Sequence, residues 1–133
     1  MGKGIIIAYI GLLLLIGLTP PGQGVLGELI AGMGSELLSW LHVPAFAALC
    51  WLIAGQFRRR GWPQALAWAA GAGCAFVFGL WLEVLQGSVE GRVTASEDLV
   101  IDTAGIVMAA VVAAYRPLTL RHADGAALRA PVR

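Results

Sequence analysis

Apolar residues run almost unbroken from Gly4 to Leu18 and stop at Thr19-Pro20-Pro21. They resume from about Glu36 to Phe57, from about Pro63 to Gln86, and from Asp98 to Tyr115. Runs of this length predict spanning helices over 4–19, 36–57, 63–86 and 98–115, because a hydrocarbon core about 30 Å thick takes roughly 20 residues at 1.5 Å each. The first run is the shortest, about 22 Å of helix, so Lys3 would have to snorkel or the bilayer thin around it. A basic residue ahead of a short apolar run also fits a cleaved secretory signal. No small-x-small cleavage site follows, however, and three more spans do, so it reads as a retained span. Between the first two spans Val25, Leu26, Leu29, Ile30 and Met33 recur at helical spacing, which predicts a short helix lying in the interface. After Arg116-Pro117 the Ala- and Arg-rich stretch 118–133 is weakly periodic and reads as a disordered tail. The fold class that follows is an all-α membrane protein: a bundle of four transmembrane helices over 1–117, then a cytoplasmic tail.

Composition agrees with lipid contact. Of 133 residues 59% are hydrophobic and 13% charged, against about a quarter charged in a soluble domain. The distribution of charge sets the orientation. Lys3 precedes the first span, Arg58 to Arg60 separate the second and third, and Arg116, Arg121, Arg129 and Arg133 follow the fourth. The other two loops hold Glu28, Glu36, Glu90 and Glu97, with Arg92 as their basic residue. Basic residues stay in the cytoplasm and acidic ones count little, so both termini are placed in the cytoplasm. The Arg58–Arg60 run is thereby explained without nucleic-acid binding. Cys50 and Cys74 lie within apolar runs, outside any C-x-x-C or Cys/His cluster, and read as small hydrophobes. Trp40, Trp62, Trp81 and Tyr115 fall near helix ends, where amphipathic rings favour the headgroup layer.

This threading collects the polar side chains at the outer ends of spans two, three and four. Span two enters through Glu36 and Ser39 to His42, with Pro44 removing the bond to the Trp40 carbonyl. Span three leaves through Glu83 and Gln86, three apart on one face that Gly79 continues a turn deeper. Span four returns through Asp98 and Asp102, four apart, with Gly105 and Ala109 continuing the stripe. Small residues below a polar end let helices approach closely. Asp102 and His42 lie a turn or more inside, where an ionisable residue costs at least about 2.5 kcal/mol at the bilayer centre and marks a functional site by default.

Glu83-Val-Leu-Gln86, Gly91-Arg92 and Asp98-Leu-Val-Ile-Asp102-Thr-Ala-Gly105 together resemble the VanZ-like family. Its pattern is E-x-x-Q, a loop ending in G-R, then D-x-x-x-N-x-x-G opening the last span. His42 followed by Phe46 resembles the family's earlier H-x-x-x-aromatic element, and the likeness covers roughly Trp40 to Ala114. Asp102 stands where the family usually has Asn, and Leu38-Ser39 replaces its usual Asp-Lys pair. The resemblance implies a bacterial inner-membrane protein, with some relatives linked to teicoplanin-type glycopeptide resistance, and supplies no reaction.

Three readings remain open at this point. In the first, the cluster recognises a lipid-linked envelope molecule such as a cell-wall precursor or a polyprenyl phosphate. Arg92 would grip an anionic headgroup, Glu83, Gln86 and Asp102 would take its hydroxyl or amide donors, and membrane lipids would surround the bundle. In the second, the site also does chemistry, with His42, Glu83 and Asp98 as the catalytic groups. Glu83 with Asp98 or Asp102 would act there as general base or as hard-metal ligands; the residues follow no known metal spacing and no cofactor motif, so no metal or cofactor is assigned. In the third, the cluster is an ion-pair clamp in a membrane assembly partner. Oligomerisation is left open.

Overall fold

A computed structural model describes the backbone of residues 3–89 and 96–127, with side chains through 113 apart from 96 and 97. It contains helices α1 (Lys3–Leu18), α2 (Gly24–Met33), α3 (Ser35–Arg59), α4 (Gln64–Gln86) and α5 (Ser96–Ala127), and no strand among the described residues. The short helix expected from the Val25-to-Met33 spacing is α2. It buries Ile30 and leaves Val25 and Leu29 exposed.

The connections follow from local chemistry. A single residue, Gly34, separates α2 from α3, and its φ of 74° lies in the left-handed region that side chains other than glycine rarely adopt. Gly61, with φ 83°, closes α3 in the same way. The amides of Arg60 and Trp62 return to the Phe57 carbonyl, and the rings of Phe57 and Trp62 stack with centroids 4.6 Å apart. Arg58 donates to the Trp62 carbonyl at 3.0 Å and fixes the turn into α4.

Helix α3 is the centre of the bundle, packed most extensively on α5 and α4 and more lightly on α1. Helices α1 and α4 run one way, α3 and α5 the other: Phe46 meets Gly79 and Cys50 meets Gly71, whereas Val43 meets Gly105. Phe46, Leu49 and Cys50 on α3, Ala75 and Leu82 on α4, and Ile106 and Ala109 on α5 form the core. The inward stripe expected on α5 is the observed one, since Asp102, Gly105, Ala109 and Ala113 are all buried.

The outside of the bundle is apolar. Ile7, Val77, Val84 and Val100 are each between 64% and 72% exposed. Two helices, α3 and α4, are long and apolar enough to cross a membrane, and α1 and α2 are apolar but shorter. In their apolar windows only 22% and 28% of residues are buried within the bundle. A core helix of a water-soluble protein would be mostly buried.

At the far end the structure departs from the expected tail. Helix α5 continues through Arg116-Pro117 to Ala127, where a helix end near Tyr115 and disorder from 118 were expected. Pro117 has no amide hydrogen for the Ala113 carbonyl four residues back. The side chain of Gln64, in the first turn of α4, donates to that carbonyl at 3.3 Å. The following Leu- and Ala-rich sequence has high helix propensity, so the helix carries on. Residues 128–133 lie outside the described residues.

Candidate functional site

The polar groups gather where the C-terminal ends of α1 and α4 meet the N-terminal ends of α3 and α5. Two side-chain bonds join α3 to its parallel neighbour α5. Ser39 donates through its hydroxyl to Asp98 Oδ1 at 2.9 Å. One turn deeper, His42 Nδ1 lies 2.9 Å from Asp102 Oδ1. The spacing of three residues on α3 and four on α5 places both pairs on facing edges of the helices.

Close backbone approach makes the deeper pair possible. A side chain at Gly105 would collide with the Val43 carbonyl, so α5 sits directly on the α3 backbone beside His42. A Cβ at Gly79 would come within 3.0 Å of Asp102 Oδ2 and 3.1 Å of the Phe46 ring. Asp102 is therefore enclosed by α3, α4 and α5, with 4% of its surface exposed. Its carboxylate orients the imidazole, because the bond made by one ring nitrogen sets the tautomer available at the other. The His42 ring also leans on Phe46, with centroids 6.0 Å apart.

Glu83 and Asp98 each stand four residues beyond the Gly79–Asp102 contact, on helices that run in opposite directions. Both thus occupy the next level towards that end of the bundle. Glu83 is partly buried, with its Oε1 withdrawn from solvent. Glu36 is exposed on the first turn of α3.

Gln86 is placed differently from the other site residues. It is buried, and its Nε2 donates to the Gly17 carbonyl of α1 at 3.3 Å. Gly17 makes room for this, since a Cβ there would sit 3.3 Å from the Gln86 amide. Gln86 so fastens α1 to α4 and closes one side of a cavity of about 150 Å³. The cavity lies between α1, α3 and α4, with Leu13, Leu38, Ala45, Leu82 and His42 among its walls. Among the described residues its polar side chains are His42 and Gln86. Tyr9 holds α1 across it by donating to the Ala45 carbonyl at 3.0 Å.

Of the expected site residues, His42 and Asp102 touch, Asp98 is joined to Ser39, Glu83 stands one level outward, and Gln86 faces the α1 side. Arg92, expected to grip a headgroup, lies outside the described residues, as do Glu90 and Gly91. Among the described residues no three of His, Cys, Asp and Glu gather as they would around a metal ion. Tyr9 and Gln64 were not singled out from sequence, and Ser39, placed at the entrance of span two, was not expected to pair with Asp98. Ser39 carried a signal, being one turn before His42 as Asp98 is before Asp102, and Gln64 had one in the proline four residues after Ala113. Comparison with known proteins gives no family model, no curated protein and no solved structure that matches this chain.

Proposed function

We propose that this chain is a VanZ-like protein of the bacterial inner membrane. In this reading it crosses four times with both termini in the cytoplasm and receives a lipid-linked envelope molecule at the outer leaflet. The thinly buried apolar helices support the membrane setting. The orientation draws on the basic residues: Lys3 opens α1 and Arg58–Arg60 close α3, at the end opposite His42 and Asp102.

One observation carries the functional reading: His42, held 2.9 Å from a buried carboxylate, forms part of the wall of a largely apolar cavity that it shares with the Gln86 amide. Burying that pair costs several kcal/mol per ion unless it is well compensated, so a purely packing role would be better served by apolar side chains. The cavity takes the first segment of an acyl or polyprenyl tail. The imidazole is offered to the anionic head, Arg92 is the second partner proposed from sequence, and Asp102 orients the ring. If the site also does chemistry, the same imidazole exchanges a proton with a headgroup oxygen.

Saturable binding of a polyprenyl phosphate to the purified full chain tests this. His42→Ala should abolish binding, and Arg92→Ala should weaken it by about tenfold or more, the worth of one charge-assisted contact. Equal binding by all three proteins would overturn the proposal.

A second reading has its own observation. Ser39–Asp98 and His42–Asp102 both tie α3 to α5, as a structural clamp would. The double substitution His42→Leu with Asp102→Leu separates the two, because an apolar pair can replace a buried ion pair at little cost in stability. Recognition predicts a folded protein that no longer binds. A clamp predicts a folded protein that still does.

A further inference from the structure

We infer that the opposite, basic end of the bundle holds a second lipid site, built for the phosphate of an anionic glycerophospholipid such as phosphatidylglycerol. It rests on the membrane setting proposed above and is independent of what His42 does.

A groove of about 110 Å³ lies between the start of α1 and the last turns of α3. Its walls are Ile5 and Ile6 from one helix and Trp51, Leu52, Gly55 and Gln56 from the other, and Arg59 stands at its end. Trp51 is held edge-on against Trp68, with ring centroids 5.1 Å apart, so this wall is preset. Gly55 opens the groove: a Cβ there would meet nothing within 4 Å. From Trp51 to Arg59 the helix rises about 12 Å, a track that is apolar from Trp51 to Gly55 and polar at Gln56 and Arg59. That is the layout of one acyl chain with its phosphate.

Charge complementarity selects the occupant. Lys3, Arg58, Arg59 and Arg60 lie at this end, while the first turns of α1 and α4 carry no acid. The acids of the described side chains, Glu28, Glu36, Glu83, Asp98 and Asp102, belong to the other end. Orientation in the membrane would call for basic residues here in any arrangement. It gives no reason for one of them to close an apolar groove. Arg58 bonds the Trp62 carbonyl, and Arg59 lines the groove. Arginine between helices at a cytoplasmic surface is a recurrent anchor for anionic headgroups, and its planar fork matches a phosphate.

The test is native mass spectrometry of the full chain with phosphatidylglycerol or phosphatidylcholine bearing the same acyl chains. The wild-type protein should retain one phosphatidylglycerol preferentially. Arg59→Gln should lower that retention by about tenfold, as loss of a charge-assisted contact does. Gly55→Leu should lower it similarly by filling the groove, its Cβ meeting no atom within 4 Å, and Arg60→Gln, which removes the same charge off the groove, should leave it in place. Equal retention of the two lipids, or an equal loss in Arg59→Gln and Arg60→Gln, would overturn the site. Competition by inorganic phosphate that is undiminished in Gly55→Leu would show an anion site without a lipid track and would also overturn it. Recovery of the protein from the membrane fraction without detergent would instead defeat the membrane setting, so the two failures are distinguishable.

Discussion

Gly105 packs directly on the backbone of Val43, the residue that follows His42. The contact brings α5 against α3 at the level where Asp102, three residues earlier on α5, reaches the imidazole. A missing side chain on one helix thus sets the distance between two polar groups on different helices. Gly105→Ala should force the helices apart and cost about 1–3 kcal/mol, the usual penalty for an added methyl in a packed core. Thermal unfolding in detergent checks this, and ligand binding should fall in the same variant. An unchanged Tm would mean that the contact does not govern the pair.

Gln64 and Pro117 make a second linked pair, through the Ala113 carbonyl. Gln64→Leu should leave that carbonyl without its side-chain donor and cost roughly 1 kcal/mol. Hydrogen exchange should quicken in α5 beyond Ala113 and stay as it was in α3. Uniform protection in the variant would show that the helix passes Pro117 without help from α4.

The apolar helices were legible in sequence because apolar run length is a one-dimensional signal. So was the inward stripe of Asp102, Gly105 and Ala109, which depends on helical period alone. Which polar groups touch was not legible, because that depends on the rotation of one helix against another. Helical period put Gln86 on the face of Glu83, yet its amide turns to the Gly17 carbonyl. Glu36, expected near the same cluster, stays exposed on the first turn of α3. The run of α5 past Pro117 was hidden for a related reason, since local rules end a helix there and the compensating donor comes from another helix.

Topology can be read directly. In a cysteine-free background made by Cys50→Ala and Cys74→Ala, single cysteines at Ser35 and Arg60 report the two ends of α3. A membrane-impermeant maleimide should label position 35 in intact cells and position 60 only after permeabilisation. The reverse pattern would move His42 and Asp102 to the cytoplasmic side and remove the case for an outer-leaflet ligand.

The most direct test of the proposed recognition is a photo-crosslinking map. A polyprenyl phosphate with a photoreactive group in the tail is bound to the full chain, irradiated, and the modified peptides are identified. The account predicts adducts concentrated on Leu13–Gly17 of α1 and Leu38–Phe46 of α3, the walls of the cavity beside His42, and their loss in His42→Ala. Adducts spread evenly over the outer apolar surface, or centred on the exposed Gly73–Trp81 groove of α4, would contradict it.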